Sequence, residues 1–269
     1  MPQAGAPGEE LSSTQPFPVL PPPLDPPTLT PEAAWGITEE DRQWCRERIK
    51  SLRSEGIFTP PSLQGSVIYP GSIGGVAWGG VSVDPQHSIV IANANRFPFV
   101  ITLIPRERYE AEKTAHPNSD IAPQMGTPYA MRRDVLRTRS GVLCNAPPWG
   151  TLTAVDLSSG KLRWQVPLGT IPNLARVPGS SAWGSPNLGG SIITAGGLVF
   201  IAAAMDQYLR AFDIETGKEL WKGALPAGGQ ATPMTYQASD GKQYVVIAAG
   251  GHGRLGTTLG DYVIAFALP

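Results

Sequence analysis

Residues 154–164 read AVDLSSGKLRW and residues 211–221 read AFDIETGKELW. The two phrases align at a constant offset (154 with 211, 164 with 221), and Ala, Asp, Gly, Lys and Trp are identical at matching places. A phrase of this length repeated at a fixed period signals a repeat architecture. In each copy an apolar strand end runs into Asp-x-x-Ser/Thr-Gly-Lys. That is tight-turn chemistry: the Asp carboxylate binds backbone N–H groups ahead of it, and the Gly takes the positive φ that other residues resist. The strand that follows carries the Trp. Two strands, a turn and a recurring Trp read as part of a β-propeller blade, with the Trp packed between blades.

Outward from the repeat, the pattern stays β. Residues 80–93 (GVSVDPQHSIVIAN) read as a strand, an Asp-Pro turn and a strand. Residues 190–204 and 242–249 each place an apolar run, LVFIAAA or YVVIAAG, near a Gly-marked turn. Such runs suit strands buried on both faces. Residues 262–268 (YVIAFAL) read as a last strand. Residues 104–148 show no clear period and read as a long polar excursion.

The N-terminal region differs. Residues 1–30 are Pro-rich (QPFPVLPPPLDPP) and read as extended and irregular. Residues 38–55 carry a helix signature: Thr38 as N-cap, then Glu39, Glu40 and Asp41 in the first turn. Trp44, Cys45, Ile49 and Leu52 form an apolar stripe, Lys50 and Arg53 sit near the end, and Gly56 can close it. The expected organisation is a Pro-rich segment (1–30), a helical insertion (31–64) and a partial propeller (65–269). The fold class is all-β with one short helix. Turns and strands count to three or four blades, whereas closed rings need four to eight, so the chain is expected to be part of something larger.

Composition bounds the partners. The chain has 269 residues, 31 Gly, 28 Pro and 16% charged residues, with a formal net charge of −1. No basic stripe points to nucleic acid or to an anionic membrane surface. The longest apolar run, 192–205, is interrupted by Gly and shorter than the ~20 residues of a spanning helix. Met1 is followed by PQAGAPGEE, which is no signal sequence. Cys45 and Cys144 are the two cysteines, and spacing alone leaves open whether they pair.

Several stretches resemble the membrane-bound quinoprotein dehydrogenases, the pyrroloquinoline quinone (PQQ)-dependent glucose/quinate/shikimate type. They are TQPFPVLPPPL (14–24), GIFTPPSLQGSVIYPG (56–71), AWGGVSVDP (77–85), APPWGTLTAVDLSSGK (146–161) and the final stretch from 225 to 269, which includes GGQATPMTY and GGHGRLGTTLGDY. The resemblance covers nearly all of the chain beyond its first ten or so residues and corresponds to a C-terminal part, about half of an eight-bladed ring. It implies a periplasmic propeller preceded by membrane helices, and PQQ with Ca2+ or Mg2+. It further implies a sugar or polyol substrate, glucose to gluconolactone foremost, and ubiquinone as electron acceptor. The general-base Asp of that family lies outside this chain, as does the N-terminal half of the propeller. An isolated piece would be inactive, and a non-catalytic scaffold or an inert fragment are the competing readings.

PQQ is a planar polyanion, so its site needs a flat stacking partner, hydrogen-bond donors and a cation. By resemblance Asn93 lies at the cofactor face; read alone it is an Asn in the turn after a strand. Trp149 matches a position near the cofactor; read alone it is a docking Trp. Arg96 is a candidate for a PQQ carboxylate. His252, between glycines, borders the substrate entrance by resemblance and is otherwise a turn His. Asp206 is the one candidate metal ligand, and is otherwise a turn Asp. His87 and His116 belong to no motif, and Trp78 reads as structural.

Overall fold

The computed structural model describes residues 4–268; residues 1–3, the start of the Pro-rich segment, and residue 269 lie outside the described residues. The chain is mostly strand, in four antiparallel sheets, and divides into two compact units. One unit comprises residues 1–17, 26–74 and 96–146, the other residues 18–25, 75–95 and 147–269. This differs from the boundary expected at 64/65, because the 96–146 excursion groups with the N-terminal segments and not with the strands on either side of it.

In the first unit the helix Glu39–Lys50 forms as its caps dictate. The Thr38 hydroxyl accepts from Asp41 N–H at 3.1 Å. The helix ends well before Gly56, and Leu52 is already folded into the core. Its apolar stripe (Cys45, Ile49, Leu52) packs with Leu29, Val67, Tyr69, Val100, Leu136 and Cys144. Cys45 and Cys144 are joined by a disulfide with a Cα–Cα distance of 5.4 Å, and neither is exposed.

The region 104–148, read as irregular, contributes Asp120–Ala122 and Tyr129–Val135 to a regular sheet ordered Ser66–Ile68, Phe99–Pro105, Tyr129–Val135, Asp120–Ala122. Phe99–Pro105 and Tyr129–Val135 pair along their whole length. The strand is hidden in sequence by its consecutive charges. Ion pairs absorb them: Arg132 to Asp134 at 3.0 Å and to Glu112 at 3.4 Å, and Arg133 to Asp120.

The second unit holds three sheets of the blade type. The first is ordered Gly75–Asp84, Ile89–Asn95, Gly150–Asp156, Lys161–Pro167. The second is ordered Glu219–Ala224, Tyr208–Asp213, Leu198–Ile201, Ser191–Ile193. The third pairs Met234–Gln237, Gln243–Ala249 and Tyr262–Ala267. One core joins the first two sheets (Ile91, Leu152, Val199, Ile201, Phe212), and another joins the second and third (Leu209, Leu225, Val245, Ile247). Part of the Pro-rich stretch packs on this unit: Leu24 accepts from Gln165 Nε2 at 3.1 Å.

The repeated phrase has the same geometry twice. Asp156 Oδ1 accepts from Ser159 N and Oγ, and Asp213 Oδ1 from Thr216 N and Oγ1. Gly160 and Gly217 have φ of 67° and 70°. The strand register shifts at the same repeat position, between Ala154 and Val155 and between Ala211 and Phe212. Trp164 reaches from the first sheet to the second. Its Nε1–H donates to Ile214 O at 2.9 Å, and its ring lies over Gly217, where a Cβ would sit 2.6 Å from Trp164 Cε3. Trp221 is more exposed and packs edge-on against Phe266 of the third sheet.

The apolar run 198–204 is strand only as far as Ile201. Ala203 turns into the left-handed region (φ 57°) with its N–H bonded to Gly229 O, so the run ends in a buried loop. Trp78, on a bulged strand, is 74% exposed.

In the Asp-Pro turn, Asp84 accepts from the His87 ring at 2.7 Å and from the backbone N–H of Gln86 and His87. The His87 hydrogen bond, then those backbone bonds, lower the Asp84 carboxyl below its usual range. The same ring bond, and then the Asp84 charge, raise His87 above the usual imidazole value. A raised imidazole stabilises the fold fully below the unfolded value of about 6.5 and loses that contribution as pH rises through the folded one. An NMR titration is expected to place the His87 midpoint above about 6.5, and Asp84→Asn to bring it down. A midpoint at or below that value in the parent chain would sink this account.

Candidate functional site

Antiparallel strands sort the connections of the second unit between two ends. Tight turns close one end: the Asp-Pro turn, the two repeat turns and the turn at 238–242. The other end carries the longer loops 168–190, 202–207, 225–233 and 250–261, which hold the GGQATP and GGHGRLG motifs. Longer loops on a rigid scaffold are where binding groups are placed.

Buried amides tie the first of these loops to the first sheet. Asn93 is 1% exposed, and its Nδ2 donates to Asn187 Oδ1 at 2.6 Å and to Gly189 O at 3.1 Å. Asn95 and Asn187 exchange two further bonds: Asn95 Nδ2 to Asn187 O, and Asn187 N to Asn95 Oδ1, each at 2.7 Å. Asn187 Nδ2 donates to Ala94 O at 3.1 Å. Both amide hydrogens of Asn93 are thus engaged inside the protein. Beside this network Thr151 Oγ1 is a buried hydroxyl without a protein partner.

Trp149, also in the second unit, is 1% exposed. Its backbone N–H donates to Trp183 O at 2.6 Å, and the two indoles meet edge-on with centroids 5.4 Å apart. Arg96, three residues along the chain from Asn93, belongs to the other unit, where its carbonyl accepts from Asn145 Nδ2 at 2.9 Å.

Asp206 is held on all sides. Arg210 grips it with two bonds (Nη1 to Oδ1 at 2.9 Å, Nη2 to Oδ2 at 2.6 Å), and Thr170 donates from both N and Oγ1. The Arg210 and Asp206 side chains are 5% and 7% exposed, and Arg210 Nε also pairs with Glu219 at 3.0 Å. A carboxylate clamped by a guanidinium fork is an ion-pair partner, and in this arrangement its oxygens are not presented to a cation.

His252 caps the short turn Gly253–Leu255, its Nδ1 accepting from Leu255 N–H at 3.2 Å. Its own N–H donates to Thr257 Oγ1 at 2.8 Å, Thr257 Oγ1 donates to Gln230 Oε1 at 3.1 Å, and Gln230 Nε2 donates to Ala204 O at 3.0 Å. This chain of bonds links the loops 250–261, 225–233 and 202–207. The conformation leaves no room for a side chain at Gly251 (φ 71°), where a Cβ would lie 2.1 Å from Thr258 O.

Among the described residues no three or more His, Cys, Asp or Glu side chains gather into a set that could hold a metal ion. Nor do Asn93 and Trp149 offer PQQ a direct contact here: one has both donors engaged, and the other shows no open ring face. They form a buried polar and aromatic layer beneath the loop end.

Sequence reasoning singled out Asn93, Trp149, Asp206 and His252 but missed Asn187, Trp183, Arg210, Gln230 and Thr257, which hold them. Gln230 and Thr257 do lie in the two stretches quoted for their resemblance, so a signal was present. Asn187 and Arg210 carry none, because their partners are distant in sequence or set by a buried ion pair.

The described residues contain no helix long and apolar enough to cross a membrane. Residues 1–245 match the model of the family described as "PQQ: Glucose/ethanol/alcohol dehydrogenase, beta-propeller domain". The chain is 45% identical to the quinoprotein glucose dehydrogenase of Escherichia coli (strain K12), over 100% of the chain and 35% of that protein. It is 45% identical to quinoprotein glucose dehydrogenase A of Acinetobacter calcoaceticus (97% and 33%), and 44% identical to a probable quinate dehydrogenase (quinone) of Xanthomonas campestris pv. juglandis (97% and 34%). The chain thus spans about a third of the length of these relatives. Among solved structures, a europium-containing methanol dehydrogenase superposes with a TM-score of 0.53 at 22% identity, covering 75% of this chain and 34% of that one, which is a likeness of fold. With its paired repeat turns, its docked Trp164 and a family match across residues 1–245, the chain belongs to the PQQ-type glucose/ethanol/alcohol dehydrogenase β-propeller family.

Proposed function

We propose that this chain is a portion of a PQQ-dependent dehydrogenase that oxidises a sugar or polyol hydroxyl, glucose to gluconolactone foremost, with the electrons passing to a quinone. The observation that carries the reading is 45% identity along the entire chain to a quinoprotein glucose dehydrogenase. The loop end of the second unit supports it, since three loops meet there on a buried polar layer. In this reading Asn93 and Trp149 support the cofactor position from below and His252 meets substrate oxygens, while Arg96, in the other unit, is not part of this site. The cation, Ca2+ or Mg2+, and the catalytic base come from the remainder of the enzyme. The reading includes placement in the periplasm, at the inner membrane with ubiquinone as acceptor; of this, the buried Cys45–Cys144 disulfide supports the oxidising compartment, where such bonds persist.

A chimera tests this. The matching third of the Escherichia coli quinoprotein glucose dehydrogenase is replaced by this chain, and dye reduction is followed with and without added PQQ. PQQ-dependent reduction driven by glucose is expected. Turnover of quinate in preference to glucose would overturn the substrate and keep the chemistry. A folded chimera inert toward glucose, quinate and glycerol would overturn the dehydrogenase reading.

A further inference from the structure

We propose that Thr257, backed by Gln230, is a positioning residue that holds the His252 imidazole as a fixed Nε2–H donor at the loop end of the second unit. A neutral imidazole has one N–H and one acceptor nitrogen, and the bond made by one nitrogen fixes the state of the other. Leu255 N–H is shared between His252 Nδ1 at 3.2 Å and the His252 carbonyl at 3.1 Å, and with Nδ1 accepting, the proton of the neutral ring resides on Nε2. That bond needs the backbone of His252 extended (φ −149°, ψ 109°) so that the following turn can close back on the ring. Thr257 supplies the restraint. It is 7% exposed, and its hydroxyl accepts a hydrogen bond from the His252 N–H at 2.8 Å and donates one to Gln230 Oε1 at 3.1 Å. Gln230, 6% exposed, is anchored through Nε2 to Ala204 O. The direction of every bond is set: backbone amide to hydroxyl, hydroxyl to amide oxygen, amide nitrogen to backbone carbonyl.

This assignment has a chemical consequence. An imidazole with Nδ1 occupied and Nε2 protonated donates to an oxygen and has no free lone pair with which to take a proton. His252 therefore orients a hydroxyl or carboxylate oxygen of its ligand and does not act as the base. Only the identity of that ligand rests on the dehydrogenase reading; the tautomer and its brace stand on this chain alone.

The test is long-range 15N–1H NMR on the chain, with no cofactor or turnover, at about pH 8, well above the ordinary imidazole value of about 6.5. The parent chain is expected to show His252 as a single Nε2–H tautomer. Thr257→Val is expected to give a mixture of tautomers or exchange-broadened ring nitrogens, and Thr257→Ser to restore the single form. A mixed or Nδ1–H ring in the parent, or an unchanged ring in Thr257→Val, would overturn the proposal. If Thr257→Val does not fold, amide exchange in the parent decides. Protection of the His252 N–H, which donates to Thr257, on the order of 100-fold supports the brace, and exchange at the rate of an unstructured peptide overturns it. The chimera described above can fail without touching this result, and the reverse also holds.

Discussion

Replacing Cys45 and Cys144 together by alanine is expected to destabilise the first unit by about 4 kcal/mol. The disulfide closes a sequence separation of 99 residues, so it removes the loop-closure entropy of a long segment from the unfolded chain; the chain-entropy relation puts a 100-residue loop near 4.7 kcal/mol. Both sulfurs are fully buried in the cluster with Ile49, Leu52, Val100 and Leu136, so the substitution also removes packing. The bond joins the helix Glu39–Lys50 to the segment following the strand Tyr129–Val135. Because the chain has two compact units, a single global melt is a poor gauge. Amide exchange read on peptides covering residues 39–52 and 97–105 isolates the effect. Protection lost by several orders of magnitude in both peptides is expected. A change equivalent to under about 1 kcal/mol would mean that the cross-link adds little to what the core already fixes.

Trp164→Ala is expected to destabilise the second unit by about 3 kcal/mol, the lower end for a buried Trp because this ring is partly exposed. The residue connects two sheets: its indole N–H donates to Ile214 O, and its ring rests on Gly217. Trp164→Phe keeps most of the packing and deletes the donor, which separates roughly 1 kcal/mol of hydrogen bonding from the remainder. Gly217→Ala attacks the same contact from the other side. Its φ of 70° disfavours any side chain, and the added Cβ would meet the ring at 2.6 Å. In the parent it is expected to cost about 2–3 kcal/mol, combining left-handed strain with overpacking. In the Trp164→Ala background only the strain of roughly 1 kcal/mol remains, so the double variant falls short of the sum. Amide exchange read on peptides covering residues 150–167 and 208–224 in the four chains measures this coupling. Strict additivity would show that the ring and the glycine do not meet in solution.

The legible parts of this protein are the local ones. Asp156 and Asp213 bind backbone two or three residues ahead, Gly160 and Gly217 take a backbone conformation suited to Gly, and Thr38 caps a helix three residues on. Each depends on neighbours within one turn of chain, so a short phrase contains the whole interaction. The strand Tyr129–Val135 was illegible because its Arg132, Arg133 and Asp134 read as loop until their ion-pair partners are in place.

The candidate site divides along the same line. That the loops 225–233 and 250–261 matter was readable from their motifs, and His252 was identifiable within one of them. What its ring does was not, since the bonds that set it run from Thr257 to Gln230 to Ala204 across three loops. Asn93 illustrates the same limit: its partners Asn187 and Gly189 lie over ninety residues away, and they turn a candidate donor into a buried structural amide. Asp206 follows suit, because the Arg210 fork and Thr170 reach it only in the folded chain.

By itself the sequence determined the blade repeat, its turns, its docking Trp and the family, since turn chemistry and hydrophobic period act over short spans of chain. Only the tertiary structure decided that Cys45 meets Cys144, that residues 96–146 group with the N-terminal segments, and which polar side chains are engaged with one another. These are long-range pairings, chosen by how sheets pack and which buried polar groups find partners, and no local pattern encodes them.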